Sequence, residues 1–168
     1  MDFKSMDTKA LHSLLIDSIH ELEKQKFVDH HFRECHSLKE DNGLSFFLDL
    51  ILIFLSDVES AVNEMEKAMN QEVVDFNQIY SYYIKLKGSS ACIGACRITS
   101  TCSNLRYAID NKSKEGCVQT ISLMKDEYNG LNDQLSNIIK IEQELVSRAT
   151  GQEQRDVIIR GVDGCRNI

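Results

Sequence analysis

Apolar residues recur at spacings of three and four along almost the whole chain, the period of a helix buried on one side. Six helices follow from that pattern. The first covers residues 5–24, with Leu11, Leu14, Leu15, Ile19 and Leu22 on its apolar side. A second, 28–39, carries Val28, Phe32, Cys35 and Leu38, and Asp41-Asn42-Gly43 then makes a turn. The third is long, 44–69, with Phe47, Ile51, Phe54, Val58, Ala61, Met65 and Ala68 as a continuous stripe. Phe46, Leu50 and Ile53 make its first half apolar on a second side. A helix apolar around most of its circumference is central to a bundle or also faces a partner.

The fourth helix has a defined start. Asp75 can cap it, Gln78 can complete the capping box, and Val74 can staple onto Ile79. It runs to about Ile93, and Gly94 marks the turn into a fifth helix over 95–110. After Asn111-Lys112-Ser113, the last helix spans 114–148 on a stripe of Ile121, Met124, Tyr128, Leu131, Leu135, Ile138 and Leu145. Residues 151–168 lose the pattern and read as a disordered tail behind a single domain over 1–150. Proline is absent, so nothing forces a helix to break. The expected fold is all-α: an antiparallel four-helix bundle with two additional N-terminal helices packed across one end.

Composition narrows the function classes. The net charge is -7 with no block of Lys or Arg, which argues against nucleic acid and against an anionic membrane surface. The longest apolar run, residues 44–55, is interrupted by Ser45 and Asp49 and is too short to span a bilayer. The N-terminus lacks a basic region followed by an apolar one, so no secretory signal is expected. A soluble intracellular chain then keeps its six cysteines as thiols, expected to be small and buried. Cys92 and Cys96 are four apart and could share a helix face. No second Cys or His pair has zinc-like spacing apart from His30-His31, so neither metal nor cofactor is expected. No phosphate loop, Gly-x-Ser-x-Gly elbow or outstanding carboxylate pair supports an enzyme.

The candidate chemistry lies in the fourth helix. Ile79, Tyr83, Leu86, Ser90 and Ile93 fall along one side of its wheel, and Asn77, Tyr80, Ile84, Lys87, Gly88 and Ala91 along a neighbouring side. On periodicity alone Ile84 is one more core isoleucine, Lys87 a solvated lysine and Gly88 a tolerated glycine. Yet a glycine inside a helix costs about 1 kcal/mol relative to alanine, so it usually has a packing or contact reason.

The run Leu86-Lys87-Gly88-Ser89-Ser90 followed by Ile93-Gly94-Ala95 resembles the active helix of plant histidine phosphotransfer proteins of the cytokinin phosphorelay. The resemblance extends over about Phe27 to Arg148, through Val28-Asp29 with Phe32, Val74-Asp75-Phe76, Lys125-Asp126-Glu127-Tyr128 and Ile141-Glu142-Gln143. In that family a phosphoryl-accepting His precedes the Lys by three residues and the Gly by four. Here that position is Ile84, which has no lone pair, and Lys85 replaces the Gln that commonly follows.

The chain thus resembles the pseudo-phosphotransfer members, which lack the acceptor. The resemblance implies no catalytic residue and a receiver-binding surface of Val28, Asp29, Phe32, Ile84, Lys85, Lys87, Gly88 and Ser89. It implies as partners the receiver domains of hybrid histidine kinases and response regulators, bound by a monomer in cytoplasm and nucleus so as to dampen cytokinin signalling. The alternative is an active phosphorelay mediator that uses another histidine, with His30 and His31 as the candidates.

Overall fold

Helices α1 (Thr8–Lys24), α2 (His30–Ser37), α3 (Lys39–Asn42), α4 (Phe46–Met69), α5 (Phe76–Ile93), α6 (Cys96–Asp110) and α7 (Lys114–Asp163) build the chain, after a 3-10 turn at Phe3–Ser5. The computed structural model describes the backbone of residues 2–163 and the side chains of residues 2–155. No strand occurs among the described residues, and no helix there is long and apolar enough to cross a membrane.

The four-helix bundle is α4, α5, α6 and α7, each packed against two others in a closed ring. The seven stripe residues of α4 are all buried, because a four-and-three spacing keeps them on one side for its whole length. Tyr128 in the α7 stripe is half-buried, and the other six stripe residues there are buried.

Cross-links set the register of α7. Lys125 Nζ lies 2.9 Å from Glu66 near the end of α4, and Arg97 at the start of α6 lies 3.9 Å from Glu127. Beyond that level α4 and α7 continue, while α1 and α2 cover the end that α5 and α6 leave open. Arg148 of α7 donates to Thr8 Oγ1 at 3.3 Å and to Phe3 O at 3.1 Å, tying down the N-terminus. Here too Lys39 of α3 makes an ion pair with Glu142 of α7 at 2.7 Å, with Glu142 wholly buried. In the sequence Ile141-Glu142-Gln143 is only a family match; the fold gives Glu142 a structural task.

Several boundaries differ from the sequence reading. The expected helix over 28–39 is two helices, α2 and α3, meeting at Leu38, which is exposed rather than part of an apolar stripe. The last helix does not stop near residue 148; α7 runs through Gly151 to Asp163 where a tail was expected. One helical glycine costs only about 1 kcal/mol, too little to end a helix without a proline or a cap. Residues 164–168 lie outside the described residues.

The turn between α5 and α6 anchors α2. Gly94 sits at φ 81 and its carbonyl accepts from Asp29 N at 2.8 Å. A Cβ at Gly94 would lie 2.6 Å from Asp29 Oδ1 and 2.7 Å from Phe32 N, so glycine is required both by its torsion and by its neighbours. Gly94→Ala is expected to cost about 2 kcal/mol or more, since the left-handed conformation alone costs roughly 1–2 kcal/mol. Urea unfolding measures it, and a cost below about 0.5 kcal/mol would mean the α2 contact is not tight.

Candidate functional site

Helix α5 presents two faces, divided as its wheel predicts. Asp75 caps it by accepting from Asn77 N at 2.9 Å and Gln78 N at 3.3 Å. From there Ile79, Tyr83, Leu86, Ser90 and Ile93 are buried, and Asn77, Tyr80, Ile84, Lys87, Gly88 and Ala91 are exposed. Ile84 keeps 49% of its surface in water, so it is not a core isoleucine. A Cβ at Gly88 would meet nothing within 4 Å, so no internal packing explains this glycine. The result is an apolar knob beside a bare stretch of helix backbone, open to close approach from outside.

Positive charge rims this face. Lys87 is turned back along α5, its Nζ donating to Tyr83 OH at 3.2 Å and lying 5.7 Å from that ring's centre. Arg106 of α6 reaches the same place: it donates to Tyr80 OH at 3.1 Å and its guanidinium lies 5.0 Å from the Tyr80 ring centre. Asp110 offsets part of that charge through an ion pair at 2.7 Å. The sequence reading missed Arg106 and Tyr80 as parts of one surface, because they are 26 positions apart and meet only when α5 and α6 pack.

On the other flank, Lys85 and Ser89 share a groove with Asp57 and Ser60 of α4. The Ser89 hydroxyl donates to Lys85 O at 2.9 Å, so it is satisfied within its own helix. One turn of α4 away from Asp57, Ile53 is 60% exposed and Leu52 beside it is also exposed. Of the second apolar side expected for this helix, Ile53 opens to solvent, while Phe46 and Leu50 are partly buried.

Helix α2 corrects the expected surface. Val28 is 2% exposed and Phe32 is 1% exposed, with Phe32 packed 5.2 Å from Phe47 between ring centres. They hold α2 to the core and offer no surface to a partner; the apolar period of α2 is spent inward. Asp29 is partly exposed, accepts from His31 N at 3.0 Å as the α2 cap, and lies 2.9 Å from His31 Nδ1. Ile84, Lys87 and Gly88 share one open face, with Lys85 exposed and Ser89 half-buried on its α4 flank.

No histidine lies in α5: His12 and His20 are in α1, and His30, His31 and His36 are in α2. His36 packs edge-on against Phe47 at 5.0 Å, and burial, with Lys39 and His12 nearby, lowers its pKa. The thiols also differ from expectation. Cys35, Cys102 and Cys117 are buried, and burial pushes Cys102 up to about 11, but Cys92 is exposed. Cys92 and Cys96 do not share a helix, because Gly94 ends α5 between them. Cys165 lies outside the described residues.

A four-helix bundle with Lys87 and Gly88 displayed on the open face of one helix, Ser89 at its edge and Ser90 buried behind them, is the frame of a phosphotransfer-type helical domain. The chain belongs to the Hpt domain family, whose pattern matches residues 49–137, more than half of its length. It is 27% identical over 141 residues to histidine-containing phosphotransfer protein 2 of Oryza sativa subsp. japonica, covering 83% of this chain and 95% of that one. A solved histidine-containing phosphotransfer protein from rice superposes with a TM-score of 0.77 at 26% identity, over 82% of this chain and 97% of that chain. Pseudo histidine-containing phosphotransfer protein 2 of Oryza sativa subsp. japonica is 25% identical over 124 residues, 74% of this chain and 82% of that protein.

Proposed function

We propose that this chain is a pseudo-phosphotransfer protein. It docks receiver domains of hybrid histidine kinases and response regulators in the cytokinin phosphorelay, accepts no phosphoryl group, and dampens signalling by occupying them. The observation that carries this reading is Ile84 itself. It stands half in water beside the open backbone of Gly88, where an acceptor would have to stand, and its side chain has no nucleophile. The rice relative named as a pseudo-phosphotransfer protein supports the same reading. The docking face consists of Ile84, Lys85, Lys87 and Gly88, flanked by Ile53 on α4 and Arg106 on α6.

The test measures binding and label transfer together against a panel of phosphorylated receivers. Saturable binding without acid-labile label on the chain supports the reading. Label arriving at His30 or His31 replaces it with an active mediator, and absence of binding to any receiver removes the docking function.

Gly88→Gln separates docking from stability. The long side chain enters open space, so the fold is expected to be unharmed or slightly more stable, by up to about 1 kcal/mol from lost unfolded-state entropy. Receiver affinity is expected to fall about tenfold or more, because the added side chain holds the partner away from the helix, and tenfold is about 1.4 kcal/mol. Unchanged affinity by titration calorimetry would take Gly88 out of the interface.

Salt dependence probes the lysines. Raising ionic strength from about 0.05 to 0.5 M shortens the screening length severalfold, so association with the acidic pocket of a receiver is expected to weaken severalfold. The apolar contacts of Ile84 and Ile53 leave a residual affinity. A flat salt response would assign the lysines no part.

A further inference from the structure

At the start of α2, Asp29, His30 and His31 bring three potential metal ligands together, with donor atoms all within 4.8 Å of one another. We propose that they form a surface site for a divalent transition-metal ion of the zinc class. Of the two ligand pairs in the sequence, Cys92 with Cys96 is divided by the turn at Gly94, whereas His30 with His31 gains a third donor in the carboxylate of the helix cap.

Two features make this more than adjacency in sequence. The backbone at Asp29 is locked, because its N–H donates to Gly94 O at 2.8 Å and Gly94 leaves no room for movement toward α5. The side chains also converge already. Asp29 Oδ1 is 2.9 Å from His31 Nδ1, and the two imidazole rings lie 4.1 Å apart between centres at a tilt of 33°. Consecutive residues inside a helix point well apart. Here His30 is the first helical residue and Asp29 is still extended, with φ -109 and ψ -171, so the three side chains gather.

The donor set selects the ion. Two imidazole nitrogens and one carboxylate oxygen suit zinc, nickel or copper, whereas calcium and magnesium prefer oxygen throughout. Bonds of about 2.0–2.1 Å put the donors of a tetrahedral zinc site about 3.3 Å apart, so the 2.9 Å contact of Asp29 with His31 opens slightly while the remaining donor closes in. Both histidines are exposed, so rotation about their side-chain torsions closes the gap without moving the backbone. Three protein ligands leave one position for water. Testing the site needs no receiver.

Calorimetric titration of the full chain with zinc chloride tests the proposal, alongside His30→Ala, His31→Ala, Asp29→Asn and Cys92→Ser variants. One saturable equivalent is expected. Even partners outside a metal's ligand shell are worth about 10–100-fold in affinity, so each histidine change should weaken binding about tenfold or more. Asp29→Asn should weaken it while keeping the helix cap, since Asn caps as well as Asp. Cys92→Ser and a His20→Ala control should leave it unchanged. Zinc should raise the melting temperature of the intact chain but not that of His30→Ala/His31→Ala, by linkage of binding to folding. The proposal is overturned by absence of saturable zinc binding in the intact chain, by binding that survives the double histidine change, or by its loss in Cys92→Ser.

Discussion

Ile84→His is expected to convert a chain that takes up no acid-labile phosphate into one that takes it up from a phosphorylated receiver. The imidazole nitrogen would attack phosphorus, the bond from phosphorus to the receiver's aspartate would break, and the carboxylate would leave with its electron pair. Position 84 is suited to this because it is half exposed and Gly88 beside it leaves room for the receiver's pocket. Little stability should be lost, since exposed substitutions usually stay within about 0.5 kcal/mol. Lys87 completes the argument. Its ammonium is held at Tyr83 OH, one turn from position 84, where it can offset charge on the phosphoryl oxygens. Adding Lys87→Ala to the Ile84→His variant is expected to slow uptake roughly tenfold or more, given that removing one preorganised donor elsewhere costs about 10²–10³. Radiolabel transfer followed by acid treatment reads both variants. Uptake by the unaltered chain would overturn the pseudo-phosphotransfer reading.

Lys39→Met is expected to be the most damaging single change to stability. It leaves the Glu142 carboxylate wholly buried without its partner, whereas Lys39 now bonds both carboxylate oxygens, at 2.7 and 2.8 Å. Breaking a buried pair from one side costs about 3–5 kcal/mol, because the remaining charge has lost both water and partner. Adding Glu142→Leu should recover most of that loss, since replacing the whole pair by apolar side chains is often neutral or better. Urea unfolding of the single and double variants gives the coupling. A single-variant loss below about 1 kcal/mol would show that the carboxylate finds another partner or water.

The legibility of this chain differs from element to element for physical reasons. On α5 the division between buried and exposed residues follows from the sequence, because a helix packed on one side fixes every residue by its angle. The α4 stripe is legible for the same reason. Around α2 the same arithmetic groups Val28, which precedes the helix, with Phe32, but does not show that both face the core. Periodicity identifies a face and leaves its direction open. The continuation of α7 past Gly151 is also hidden, since a glycine and a weak apolar pattern are compatible with either helix or coil.

The sequence by itself determined the helical class, the bundle, the core stripes of α4 and α5, and the absence of a nucleophile at position 84. These are properties of single residues or of spacing within one helix, which local geometry converts directly into faces. Only the tertiary structure decided that Val28 and Phe32 face the core rather than water, and that Arg106 joins the α5 face. It alone paired Lys39 with Glu142 across 103 positions and set the extended cap of α2 against Gly94. Those outcomes depend on which helices become neighbours and at what register, and the burial pattern of one helix carries no information about its partner's register.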